Sequence, residues 1–245
     1  MNNILKTSSV QLVEIDKAKQ PIGVASGCLI SCEGNRVLLT VRHATGDFGN
    51  WAIQLDYSKD KGTKLYQLGS MYFAKKLTLP KAHVEDIDFS YAKIPNDLEV
   101  VRWHGDPSGN GNEIGRDIIN TYPYTLNLKY DKNDTYGFCG AVMAENVANP
   151  VSSNRPFLKS EIRCYENLTL IREEGDYLVF KLPFRHPGHE HFQGCSGAPI
   201  ISSKNEPVAL VCHGDEETGE IYGISLNKMG AVVVASMQEE ARKKP

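Results

Sequence analysis

Short apolar runs rich in β-branched residues recur along this chain, and turn-forming residues cut each one off. The runs fall at residues 23–30, 37–41, 51–55, 88–94, 137–143, 177–182, 198–201, 208–212 and 221–226. Gly, Pro, Asn and Asp punctuate them, as in GDFGN, DPSGNGN, SSNRP and SKNEP. Many short strands separated by turn signals predict an all-β barrel or sandwich. The clearest helical stretch is terminal, at 236–243, where MQEEARK holds good helix formers. The polar segment 105–116 reads as a long surface loop. No linker separates independent units, and 245 residues fit one all-β domain.

Composition removes several function classes. A hydrophobic fraction of 41% supports a sizeable core. A net charge of −3 lacks the basic excess of a nucleic-acid binder. No apolar run is long enough for a membrane-spanning helix. The opening MNNILKTSSVQLVEIDKAKQ lacks the segments of a signal peptide, so a cytoplasmic protein is expected. Cys28, Cys32, Cys139, Cys164, Cys195 and Cys212 form no CxxC pair. In that compartment they should be reduced, and most should be small buried apolar residues.

Three segments carry chemistry together. In VLLTVRHA an apolar strand runs into His43; alone, such a histidine is more often structural. In DIDFSYAKI acidic residues open an apolar strand, where a carboxylate can orient a histidine and stabilise its imidazolium. In QGCSGAPII closely spaced glycines allow a tight turn that exposes Ser196. Such a turn can aim backbone N–H groups at one point.

In this order the segments resemble the trypsin-like peptidases of the chymotrypsin fold. TVRHA is similar to T-A-A-H-C, DFSYAKI to D-I-A-L-L-K-L, GCSGAPII to G-D-S-G-G-P-L, and ALVCHG to G-I-V-S-W-G. The separations, 45 residues from His43 to Asp88 and 108 from Asp88 to Ser196, suit the family. The resemblance implies two packed six-stranded antiparallel barrels, at about 20–105 and 117–235, with a cleft between them. It implies a serine endopeptidase with His43, Asp88 and Ser196 as its triad. Gly194 and Ser196 N–H would form the oxyanion hole, and Glu190, Cys212, His213 and Gly214 would bind substrate. Glu190, six residues before Ser196, would favour Arg or Lys on the acyl side, with Gly219 keeping the opposite wall open. Asp86 is an alternative acid on the same side of its strand. The residues following Asp88 fit the family pattern better.

The sequence also departs from the family. Cys195 replaces the acid that pairs with a freed N-terminus, and no activation site precedes Gly23. Regulation therefore falls to constitutive competence or a regulatory protein partner. Cys212 replaces a serine that supports the aspartate. Two other readings stay open, a catalytically inactive binding module on the same fold and a cysteine-nucleophile relative. The histidine-rich segment 185–191 matches no common closed zinc site and reads as a polar surface loop. The expected partner is a protein or peptide substrate, with no cofactor, no metal, no nucleic acid and no membrane.

Overall fold

The computed structural model describes residues 2–18, 21–46, 49–58, 62–78, 83–104, 115–124, 128–143 and 160–243. Strands dominate. They are β1 (Val10–Ile15), β2 (Pro21–Cys32), β3 (Asn35–Thr40), β4 (Trp51–Ser58), β5 (Gly62–Gln67), β6 (Tyr72–Thr78), β7 (His83–Ile94) and β8 (Val101–His104). There follow β9 (Gly115–Ile118), β10 (Thr121–Pro123), β11 (Thr135–Met143), β12 (Ser160–Glu174), β13 (Tyr177–Lys181), β14 (Pro199–Ser202), β15 (Pro207–Asp215) and β16 (Glu220–Ser225). The helices among the described residues are α1 (Asn2–Lys6), α2 (Arg42–Thr45) and α3 (Leu226–Lys243).

The strands arise where alternate residues serve two different cores. Along β3, Val37 and Leu39 enter a core shared by the two halves, while Leu38 enters the N-terminal one. On β2, Cys28 and Ile30 take the shared core and Leu29 the N-terminal one. A strand buried on both faces is apolar at every position, hence the continuous runs in the sequence.

Strands β11–β12–β13–β16–β15–β14 close into a six-stranded barrel. The N-terminal strands form an eight-stranded sheet, ordered β5-β4-β1-β2-β3-β7-β6, with β10 pairing in parallel to β2. This is a larger set than the six-stranded barrel expected there. The strands β2 to β7 are joined by β1, ahead of residue 20, and by β10, beyond residue 117. Val10 and Leu12 anchor β1 in the core, but the pattern is too short to stand out among charged neighbours.

Two other elements differ from expectation. Helix α3 spans 18 residues, starting well before position 236. Its buried stripe is Leu226, Met229, Val233 and Met237, the i, i+3, i+4 spacing of a packed helix. Gly230 and the valines at 232–234 are weak helix formers, so packing rather than propensity makes this helix. Residues 105–114 of the expected loop lie outside the described residues, as do the turns DPSGNGN and SSNRP; Gly115 and Arg116 belong to β9, which pairs with β8. No helix among the described residues is long and apolar enough to cross a membrane.

All six cysteines are free, five of them buried and Cys164 half-buried. Cys139 and Cys164 lie directly opposite each other across β11 and β12, their thiols in hydrogen-bond contact. Thiol titration of denatured, unreduced protein, purified without oxidation, should count six free thiols. A count of four would point to this pair and to an oxidising environment.

Candidate active site

Strand β3 ends at Thr40, and the chain turns through extended Val41 into the single helical turn α2. His43 sits in that turn. Strand β7 runs antiparallel beside β3, pairing Ser90 with Thr40, so Asp88 extends just past the strand end. Its carboxylate meets His43 twice: Oδ1 accepts the His43 backbone N–H at 2.8 Å, and Oδ2 lies 2.7 Å from the ring Nδ1. A carboxylate held by backbone and ring together fixes both the position and the tautomer of the imidazole. The opposite ring nitrogen, Nε2, is 3.0 Å from Ser196 Oγ.

Asp86 is occupied elsewhere, with Arg42 Nη1 at 2.6 Å and Lys75 Nζ at 3.5 Å. Burial pushes the Asp88 carboxyl up, but the His43 ring and backbone N–H groups, the ring's charge and the Cys212 thiol outweigh it. The carboxyl is held below its ordinary range. The thiol of Cys212 thus reaches the aspartate from the place where the family carries a hydroxyl.

The serine turn depends on two glycines. Gly194 has φ 100° and Gly197 φ 87°, values that residues with a side chain rarely adopt. A Cβ on Gly194 would stand 2.3 Å from Ala141 O, and one on Gly197 would stand 2.1 Å from Ser26 O. Within the turn the Cys195 N–H donates to Phe192 O at 2.8 Å, Gly197 N–H to Val211 O at 2.8 Å and Ala198 N–H to Cys195 O at 2.9 Å. The N–H groups of Gly194 and Ser196 have no partner among the described residues. Cys195 is fully buried, its sulfur directed at the backbone of Gly140, and burial pushes its thiol up to about 12.

Beside Ser196 lies a cavity of about 370 Å³, lined by His189, Glu190, Phe192, Gln193, Val211, Cys212, His213, Gly214 and Ile221. Glu190, Cys212, His213 and Gly214 therefore all border it. Glu190 is exposed on a short 3-10 turn, and its carboxylate has no partner among the described residues. The His213 ring stacks on Tyr222 at 4.5 Å. Burial, then the nearby His43, keeps the His213 ring below its usual range and favours its neutral form.

Gly219 does not border this cavity. It occupies the left-handed position (φ 65°) of the turn from β15 to β16, its N–H donating to Asp215 O at 2.8 Å. Of the acidic residues on and beside that turn, Asp215, Glu216, Glu217 and Glu220, Glu220 is paired with Arg172 at 3.0 and 2.9 Å, and Glu216 accepts the His189 N–H at 2.7 Å. The histidine-rich segment is not simply a surface loop. His186 is buried, its ring 4.6 Å from that of Phe192, because Phe192 supplies the apolar cover. The His191 ring contacts Arg163. Among the described residues no cluster of three His, Cys, Asp or Glu could hold a metal ion.

One site residue escaped the sequence reading. Ser26, in the ASG of β2, makes hydrogen bonds to the serine turn through both its backbone and its side chain. Its place in β2, the strand before the one that delivers His43, is the available signal, but nothing in one sequence says what that hydroxyl meets.

The sequence matches no protein-family model and no curated protein. Solved structures do match. Human heparin binding protein superposes with a TM-score of 0.57 at 10% identity, over 96% of this chain and 92% of that one. Neuropsin, a serine protease expressed in the limbic system of mouse brain, gives 0.53 at 12% identity, over 93% of each chain. The serine endoprotease from Yersinia pestis gives 0.51 at 14% identity, over 98% of this chain and 66% of that one. This chain has the chymotrypsin-like fold of the trypsin-like serine proteases.

Proposed function

We propose that the protein is a serine endopeptidase that cleaves peptide bonds through an acyl-enzyme on Ser196. The observation that carries this reading is His43 bridging Asp88 at 2.7 Å and Ser196 at 3.0 Å. His43 Nε2 takes the hydroxyl proton as Oγ attacks the carbonyl carbon, and returns it to the leaving amine. Asp88 stabilises the imidazolium between those steps. The unpartnered N–H groups of Gly194 and Ser196 receive the negative charge on the carbonyl oxygen. Water then enters; His43 takes its proton as the water oxygen attacks the acyl carbon, and returns that proton to Ser196 Oγ as the ester bond breaks and the carboxylic acid leaves. That those two N–H groups have no partner among the described residues favours this reading over an inactive binding module.

An alkyl fluorophosphonate should label Ser196 in the wild type and leave Ser196→Ala unlabelled. Turnover of a peptide substrate should fall on the order of 10⁶-fold in Ser196→Ala, and about as far in His43→Ala, because the groups act as a unit. Asp88→Asn should lose on the order of 10⁴-fold through the wrong imidazole tautomer. Peptidase activity retained by Ser196→Ala and lost by Cys195→Ala would transfer the reaction to sulfur.

The depressed Asp88 carboxyl adds a stability signature. Its contribution is present above the unfolded carboxylate value and disappears as pH falls through the lower folded one. Asp88→Asn should therefore lower Tm at neutral pH and narrow the gap to wild type as the solution is acidified. A Tm difference that is constant with pH contradicts this linkage.

The cavity beside Ser196 supports a preference for Arg or Lys on the acyl side, through the Glu190 carboxylate, which has no partner among the described residues. Because Glu190 is solvated, the gain is that of a surface ion pair, about fivefold in kcat/KM over Leu. Glu190→Gln should erase it. Equal cleavage after Leu, Phe and Arg by both forms would leave Glu190 no part in selection.

A further inference from the structure

The turn at 193–198 has to direct two N–H groups at one point, and its peptides are fixed unevenly. The Gly194–Cys195 peptide is held at both ends, its carbonyl by the Ser26 hydroxyl at 2.8 Å and its N–H by Phe192 O at 2.8 Å. The Ser196–Gly197 peptide is held likewise, with Ser196 O accepting from Ser26 N at 2.9 Å and Gly197 N donating to Val211 O at 2.8 Å. The Gln193–Gly194 peptide, which supplies the first oxyanion N–H, has no hydrogen bond at either end among the described residues. Its direction is passed through Gly194, at φ 100°, from the clamped peptide that follows.

Ser26 is fully buried on β2. Its hydroxyl donates to Gly194 O and also accepts the Ala141 N–H at 3.3 Å. Its carbonyl accepts the Thr40 hydroxyl at 2.8 Å, at the end of the strand that delivers His43. One residue thus joins the histidine strand, barrel strand β11 and both clamped peptides of the serine turn. We infer that Ser26 is a positioning residue, whose hydroxyl holds the Gly194 carbonyl and thereby sets the direction of the oxyanion-binding N–H groups. This rests on the reading of Ser196 as nucleophile and extends it to a side chain that touches neither substrate nor His43.

Ser26→Ala removes the hydroxyl and keeps the backbone bonds. Losing a direct oxyanion donor costs about 10²–10³ in rate, and loosening one indirectly falls short of that. On a peptide p-nitroanilide, kcat per titrated active site should drop about tenfold with KM within about twofold. Labelling by an alkyl fluorophosphonate should slow by a similar factor, since its phosphoryl oxygen uses the same N–H pair. A merely structural role would lower Tm and the fraction of active molecules without changing kcat per site. Ser26→Cys keeps the shape with a weaker donor and should fall between wild type and Ala; it serves alone if the Ala variant does not fold. Wild-type kcat and labelling rates in the folded variants overturn the inference. A wild type that is not labelled refutes the nucleophile reading separately. The crystal structure of the variant then decides on Ser26: a rotated 193–195 segment supports the inference and an unmoved one overturns it.

Discussion

The 3.0 Å contact between His43 and Ser196 joins residues 153 positions apart, in turns that adjoin strands of two different sheets, so the site exists only while those sheets keep one relative position. The bulk of that coupling is apolar. Cys28, Ile30, Leu39 and Phe89 from the N-terminal strands share a core with Cys139, Ile201, Leu210 and Ile224 of the barrel. Helix α3 closes the core with Met229 and Val233 and receives the Tyr91 hydroxyl on Ser236 at 2.5 Å. Apolar burial is strong but has no direction. It can press two faces together without fixing their register to the tenths of an ångström that proton transfer needs. Directional bonds across the seam supply the register, and those at Ser26 lie nearest the serine.

The chain's first residues stitch the same seam from the other side. Helix α1 packs against β11 and β12 of the barrel, while β1 enters the middle of the N-terminal sheet. Arg102, on β8, fastens the crossing. Its buried guanidinium donates to the carbonyls of Lys6 and Ser9, the latter at 2.7 Å, and to Cys139 Sγ at 3.9 Å. A buried cation is tolerable when backbone carbonyls replace water around it.

The legible parts of this molecule were those whose chemistry is local in sequence. The apolar strands around 37–41 and 208–212 showed because both of their faces are buried. The serine turn showed because its backbone demands glycines at fixed places. Strand β12 stayed hidden. Tyr165, Leu168 and Leu170 all face the barrel interior, yet the first two are an odd number of positions apart. A bulge at Asn167 (φ 60°) opposite Gly137 absorbs the difference and breaks the period-two pattern. Helix α3 stayed hidden because tertiary burial overrides the weak propensity of its valines and glycine. At the site, the resemblance pointed to His43, Asp88 and Ser196, and the residues following Asp88 favoured it over Asp86, but nothing in the sequence told that Asp86 is already committed. Only the fold brings Arg42 and Lys75 to Asp86. The buried ring of His186 was misjudged for the same reason, since its cover, Phe192, comes from across its own loop.

Two thiols lie beside Ser196, and a thiolate is intrinsically the stronger nucleophile. Sulfur chemistry would need a thiol that is accessible and readily ionised. Cys195 is fully buried and pushed up to about 12. Cys212 is buried as well; burial first, and then the charge of Asp88, holds its thiol well above the usual range. The carboxylate that orients the imidazole therefore also keeps its neighbouring thiol protonated, and a protonated thiol can in turn support the carboxylate. Of these three side chains only Ser196 is partly exposed and within reach of His43 Nε2. Adjacent residues on the turn meet opposite fates because Gly194 and Gly197 bend the backbone so that Cys195 points into the barrel and Ser196 out of it. Backbone direction, set by two glycines, decides which of the neighbouring side chains faces His43.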